Sequence, residues 1–354
     1  MSKKWVKEAR RKSASAKPEP EPALVKRLVR PIGQGSAFAS WLRAARRLEL
    51  PHGLVIEGAR GVGKTVLMQW LTAALLCPSE LDEDEPCGMC RTCTRIANEV
   101  HPDVRTVRRP RDDSEFIKNE NSFHRITVSQ VRSLQEELQR HAVEGRARVA
   151  TFVEGDYLRD DGQNMLLKTL EEPGDATFLL LEVARPEHLL PTVRSRVQRL
   201  RVLPLADSVI LDELNQRISG QINRFDEIVA AAQGSLGLAL TAGTEQAVQL
   251  HDLVRGWLDQ TKGLRPFAMT RSVLEGLKER RHQAEAAQMF LWLLRSELRR
   301  RSHALASAAD GSYPASSLEP WTTWIERTLQ AERDLDLMIP VDQVLTACLV
   351  QLAS

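Results

Sequence analysis

The chain has 354 residues, 27% charged and 42% hydrophobic, with a net charge of +2. That is too long for one core, so two or three domains are expected, and no global charge excess demands nucleic acid. No apolar run approaches the ~18 residues a membrane span needs, and the polar, basic N-terminus lacks a signal-peptide core, so the reading is a cytoplasmic protein with no membrane partner.

Residues 1–22 carry seven Lys/Arg and then Lys17-Pro-Glu-Pro-Glu-Pro22. Such a stretch buries too little apolar surface to offset its ordering entropy and reads as a disordered tail. Leu24 to Leu48 reads as helical around a break at Pro31-Ile32-Gly33-Gln34, with Ala37, Trp41, Ala44, Ala45 and Leu48 on one face.

Leu54-Val55-Ile56 reads as a short strand, and Val66 to Leu76 as a helix. Between them stands Gly58-Ala-Arg-Gly-Val-Gly-Lys-Thr65, the strand–loop–helix context of a phosphate-binding P-loop. Gly58, Gly61 and Gly63 let backbone N–H groups turn inward on phosphate oxygens. Lys64 would reach the outer phosphates, Thr65 would hold Mg²⁺, and the helix N-terminus adds its positive dipole end. ATP or ADP with Mg²⁺ is the implied ligand.

Cys77, Cys87, Cys90 and Cys93 follow that helix, and the spacer after Cys77 is acidic. In a reducing compartment such a cluster points to a metal before a disulfide framework. Four thiolates close a tetrahedral structural zinc site with no coordination position left for catalytic water. An iron–sulfur cluster and unmetallated thiols are the alternatives.

His101-Pro-Asp103-Val leads into another strand, and a charged loop runs from Arg108 to Asn121. Arg105, Arg108, Arg109 and Arg111 either face DNA phosphates or a protein partner, or form a solvated surface. Thr127 or Ser129 caps a helix over Gln130–His141 whose apolar face is Val131, Leu134 and Leu138. Strands are read at Val149–Val153, Phe178–Leu181 and Val197–Val202, a proline-stopped helix at Asn164–Pro173, and a helical turn at Leu190–Arg196. Lys168, Glu171 and Glu172 read as a salt-bridged helix face. Strands alternating with helices after a P-loop mean a parallel, three-layer α/β sheet.

Past residue 206 the strand patterns stop. Helices are read at Val209–Ile218, Phe225–Gln233, Gly237–Ala242, Gln246–Gln260, Arg271–Ser302, Trp321–Leu335 and Val341–Leu352, with a Ser/Ala/Pro-rich loop at Ala304–Pro320. Phe290, Leu293, Leu294 and Leu298 form a packing stripe, and Cys348 reads as a buried packing residue.

The chain resembles the AAA+ subunits of the bacterial DNA polymerase III clamp loader. The landmarks are His52, the P-loop, the four-cysteine insertion, His101-Pro-Asp103, Ile126-x-Val-x-x-Val-Arg132, Asn164-x-Leu-Leu-Lys-Thr-Leu-Glu-Glu-Pro173 and Ser195-Arg196. The resemblance covers roughly residues 32 to 200. It implies a P-loop AAA+ domain over 23–205 with the zinc insertion at 77–93, a helical lid over 206–245 and an all-helical collar over 246–354. It also implies a hetero-pentameric ring with gamma/tau and delta subunits that loads the sliding clamp on primed DNA, which this subunit would touch only indirectly.

Two subunit types share these landmarks, an ATP-hydrolysing motor and a mostly structural delta-prime type. A motor needs an Asp-Glu pair after the strand preceding Asn164, where Val153-Glu154-Gly155-Asp156 stands. Glu154 is the nucleotide-site candidate there. The γ-phosphate-sensing Thr or Asn is replaced by Glu182-Val-Ala184, and the lid arginine by glycine in Gly234-Ser-Leu-Gly237. Three departures favour the delta-prime type over a gamma/tau-type motor. Arg196 survives, and the resemblance implies that it acts as an arginine finger on a neighbour's ATP.

Overall fold

A computed structural model describes residues 26–79, 84–109, 125–218, 225–259, 265–308, 319–337 and 339–353. The tail at 1–22, residues 80–83 of the acidic spacer and most of the 108–121 loop, including Arg111, lie outside the described residues.

Five parallel strands form one sheet: β1 Gly53–Glu57, β2 Val104–Val107, β3 Arg148–Phe152, β4 Thr177–Val183 and β5 Gln198–Arg201, in the order β2-β3-β4-β1-β5. All five residues of β1 and all seven of β4 are buried, as expected of central strands covered on both faces. The pleat sorts their side chains. Leu54, Ile56, Phe178 and Leu180 enter one apolar cluster, while Val55, Leu179 and Leu181 enter another. On the first face lie α1 Gly35–Arg46, α2 Lys64–Leu76 and α3 Arg91–Ala97. On the second lie α4 Val128–Leu138, α5 Asp160–Glu171 and the short α6 Pro191–Arg194. The parallel P-loop α/β fold read from the sequence is the fold observed.

Thr127 caps α4 through a complete capping box: its hydroxyl accepts from Gln130 N–H, and the Gln130 side chain accepts from Thr127 N–H. The helix read over Leu24–Leu48 is shorter. Residues 26–34 carry no helix, and α1 begins only at Gly35, because Pro31 and the positive φ of Gly33 (+72°) interrupt the backbone pattern.

The C-terminal half is helical: α7 Asp207–Arg217, α8 Phe225–Ala232, α9 Leu236–Ala242, α10 Glu245–Leu258, α11 Pro266–Leu274, α12 Arg280–Ala308, α13 Glu319–Asp336 and α14 Val341–Ala353. The single helix read over Arg271–Ser302 is two, α11 and α12. Gly276, at φ +76°, takes the left-handed turn between them. The loop read from Ala304 is corrected at both ends: α12 runs through Ala308, and α13 starts at Glu319 with Pro320 in its first turn, where its missing N–H goes unneeded. One connected apolar cluster runs from Leu205 to Leu352, with Phe290, Leu293, Leu294, Leu298 and Cys348 all buried in it.

Candidate functional site

The P-loop follows directly from β1 and ends in α2. Gly61 (φ +76°) and Gly63 (φ +96°) occupy left-handed backbone regions closed to most side chains, and Gly63 N-caps α2. A Cβ on Gly61 would lie 2.4 Å from Ser235 Oγ, at the start of α9. The helical half therefore sits against the loop. Gly237 N–H donates to Gly61 O at 2.9 Å, and Ser235 Oγ donates to Arg60 O at 3.1 Å. A Cβ on Gly237 would meet Gly61 O at 2.8 Å, so a side chain at this position would press on the loop.

Lys64 is 4% exposed, and its Nζ donates to Ala59 O at 2.9 Å. Burial holds its pKa below the ordinary lysine value, against the pull of Glu182, whose Oε1 lies 3.9 Å away. Thr65 Oγ1 donates to Glu182 Oε2 at 2.7 Å. Glu182 belongs to β4, paired with Ile56 in the strand that feeds the loop, and is itself buried. Burial raises its carboxyl pKa, with the Thr65 hydrogen bond and Lys64 opposing. Reasoning from the sequence treated position 182 as a missing sensor and overlooked this carboxylate. The signal was a single acid inside the otherwise apolar Thr177-Phe-Leu-Leu-Leu-Glu-Val183.

The other acids face elsewhere. Glu154 sits at φ +57°, a left-handed conformation uncommon without glycine, and its carboxylate takes a two-pronged hydrogen bond from Arg109 at 2.7 and 2.9 Å. Arg109 also covers the Tyr157 ring, 3.7 Å from its centroid. Asp156 accepts from the backbone N–H groups of Ala184 and Arg185. Lys64, Glu154, Asp156 and Glu182 nevertheless line one open cavity of about 740 Å³, shared with Trp292 and other residues of the helical half. A smaller apolar space of about 150 Å³ flanks Gly61 and Gly63, walled by Pro31, Ile32, Leu205 and Leu236. The larger volume falls in the range of small-ligand sites, and Lys64, on its wall, with Thr65 next in the loop are the residue types a phosphate and its Mg²⁺ require. The residues fit such a ligand.

The four cysteines converge. Their ligand sulfurs all lie within 4.8 Å of one another, at 3.7 Å for Cys77–Cys87, 3.8 Å for Cys77–Cys90 and 4.0 Å for Cys87–Cys93. A tetrahedron with metal–sulfur bonds of about 2.3 Å has edges of about 3.8 Å, so the cluster is close enough to bind a metal. Backbone N–H groups of Cys90 and Cys93 point at the sulfurs of Cys87 and Cys90. Hydrogen bonding from the Cys93 thiol lowers Cys77 to about 3, and that same bond pushes the Cys93 thiol upward. Four sulfurs this close cannot all carry charge without a cation among them. The fifth cysteine, Cys348, has its thiol pushed up to about 12 by burial.

Arg196 lies just past α6. Its Nε and Nη2 donate to Glu171 Oε1 at 2.7 and 2.6 Å, and its Nη1 to Thr192 O at 3.0 Å. Glu171 thus pairs across to Arg196, where the sequence reading grouped it with Lys168. Both side chains are substantially exposed, at 39% and 51%. Arg105, Arg108 and Arg109 are engaged with Glu137, Glu99 and Glu154, which favours the surface reading over a row of cations free for phosphates. His52 stacks on Phe178 and its Nδ1 donates to Thr177 O at 2.8 Å, bracing β4.

Sheet order and glycine loop define a P-loop α/β fold. A family model described as DNA polymerase III, delta subunit, matches residues 33–206. The chain is 30% identical to DNA polymerase III subunit delta' of Pseudomonas aeruginosa over 239 residues, covering 65% of this chain and 68% of that one. It is 29% identical to its counterpart in Bacillus subtilis over 255 residues, 70% and 72% of the two chains. Subunit tau of Escherichia coli is 28% identical over 226 residues, 62% of this chain and 33% of that one. A solved structure of a DNA polymerase III gamma subunit-related protein from Thermotoga maritima overlaps 88% of this chain and 98% of that one, at 14% identity and a TM-score of 0.47. The chain belongs to the delta-prime family of DNA polymerase III subunits. Among the described residues no helix is long and apolar enough to cross a membrane.

Proposed function

We infer that the chain is a cytoplasmic clamp-loader subunit of the delta-prime type, a stiff wedge in a ring with gamma/tau and delta subunits that places the sliding clamp on primed DNA. Its working parts would be an AAA+ P-loop domain over 23–205, a lid over 206–245 and a collar over 246–354 that joins the other subunits. Arg196 would reach across the interface and stabilise charge on a neighbour's transferring phosphate. Zinc at Cys77, Cys87, Cys90 and Cys93 would be structural. Gly58, Gly61, Gly63, Lys64 and Thr65, with Glu154 on the cavity wall, would receive phosphates of ATP or ADP with Mg²⁺ but turn over little.

One observation carries this reading. The acids of the hydrolysis region are committed to Arg109 and to backbone N–H groups, while Arg196 is held at the surface by an exposed ion pair. Exposed pairs of this kind contribute about 0–1 kcal/mol, so a better partner exchanges for Glu171 at little cost.

ATP turnover tests it, measured for the purified chain alone and for the complex with clamp-loader partners and primed DNA. The chain alone should show negligible turnover. Arg196→Ala should assemble normally and remove the DNA-stimulated rate at the adjacent site, by on the order of a thousandfold. Brisk turnover by the isolated chain, abolished by Lys64→Ala, would make it a gamma/tau-type motor instead.

A further inference from the structure

We propose that Glu182 is an internal ligand of the P-loop, one that a nucleotide has to displace before it can bind. The two side chains that the motif dedicates to a Mg²⁺-nucleotide are both taken. The Thr65 hydroxyl is donated to Glu182 Oε2 at 2.7 Å, and the Lys64 ammonium lies 3.9 Å from the other carboxylate oxygen while donating to the loop's own Ala59 carbonyl. The register places Glu182 beside the strand that feeds the loop. Glu182 pairs with Ile56 of β1, and its own carbonyl is packed against Gly155, where an added Cβ would come within 3.1 Å.

A carboxylate this deeply buried needs a hydroxyl and a cation, and Thr65 and Lys64 are the groups that supply them. An entering phosphate adds negative charge beside Glu182 and competes with it for Lys64, while the Thr65 oxygen that would hold Mg²⁺ is tethered by its bond to Glu182. Glu154 and Asp156 line the same cavity, so the incoming phosphates meet further acid there. The bonds from Gly237 and Ser235 hold the loop carbonyls of Gly61 and Arg60 from the lid side. These contacts satisfy the loop internally, and its ligand class is a nucleoside di- or triphosphate bound only at their expense.

This rests on the P-loop being a phosphate site and is independent of the role given to Arg196. The test is equilibrium binding of fluorescent ADP and ATP to the full chain with Mg²⁺, for the wild type, Glu182→Thr, Glu182→Gln and each with Lys64→Ala. Releasing a charge-assisted hydrogen bond and a like charge should tighten binding roughly ten- to a hundredfold in Glu182→Thr, with Lys64→Ala erasing the gain. Glu182→Gln keeps the shape and carries the test should the threonine variant fail to fold. Unchanged affinity in a wild type that already binds would leave the phosphate site standing and sink the plug. Weaker binding in the Glu182 variants would make Glu182 a helper of the bound metal and overturn the proposal. Absence of binding in every variant would overturn the proposal together with the phosphate site, leaving the Arg196 assay untouched.

Discussion

The cysteine cluster and the P-loop are both announced by short strings of residues, yet the fold treats them in opposite ways. At the cysteines, four sulfurs gather at separations that suit a metal ion. At the P-loop, Lys64 and Thr65 are equally well placed, but a glutamate 117 residues downstream of Thr65 has taken them. A motif specifies donors. Whether the donors are free is decided by whichever side chain the sheet register delivers beside them.

The hardest way to break this contrast is to empty the cysteine site. Cys93→Ser, or a strong chelator, should abolish a zinc content of one ion per chain and remove on the order of 10 kcal/mol of metal-binding free energy. Metal analysis and amide exchange over residues 84–97 read it. A chain that carries no zinc and melts normally would show that the sulfurs are held by protein packing alone.

A smaller effect is expected from placing at Gly237 the arginine that a gamma/tau-type motor would carry. In Gly237→Arg the new Cβ collides with the Gly61 carbonyl at 2.8 Å, so the variant should lose about 1–3 kcal/mol in denaturant melts and gain no ATP turnover. A stable, hydrolysing Gly237→Arg would mean that the loop is less committed to its internal partners than its contacts imply.

The smallest effect concerns how the cysteine lobe is anchored. Asp103 accepts N–H bonds from Val143, Glu144 and Gly145, and the Glu144 side chain pairs with Arg95 on the helix that bears Cys93. Burial alone would raise the Asp103 carboxyl, yet the three backbone donors bring it below its ordinary value. A carboxyl depressed in the fold adds stability above its unfolded pKa of about 3.9 and loses it as pH falls through the folded value. The melting temperature should therefore drop below about pH 4. Asp103→Asn, which keeps one accepting oxygen, should lose about 0.5–1.5 kcal/mol at neutral pH and show a flatter acid limb. An acid limb unchanged by the substitution would assign that loss to other carboxylates.

Much was legible in the chain itself, for reasons of local physics. Buried parallel strands read as continuous apolar runs, glycines mark a loop that only they can form, and Thr127 with Gln130 spells its own capping box. The break at Gly276 was missed because a helical apolar pattern passes smoothly over one glycine, and only its φ of +76° reveals the turn. The partners were harder still. Nothing adjacent to Glu182, Glu154, Glu171 or Gly237 in sequence names Thr65, Arg109, Arg196 or Gly61 as the group each one meets. What the sequence determined by itself is the fold class, the donor sets and the family. What only the tertiary structure decided is which donors are already spent, because a pairing across a sheet depends on register and packing that local chemistry does not encode.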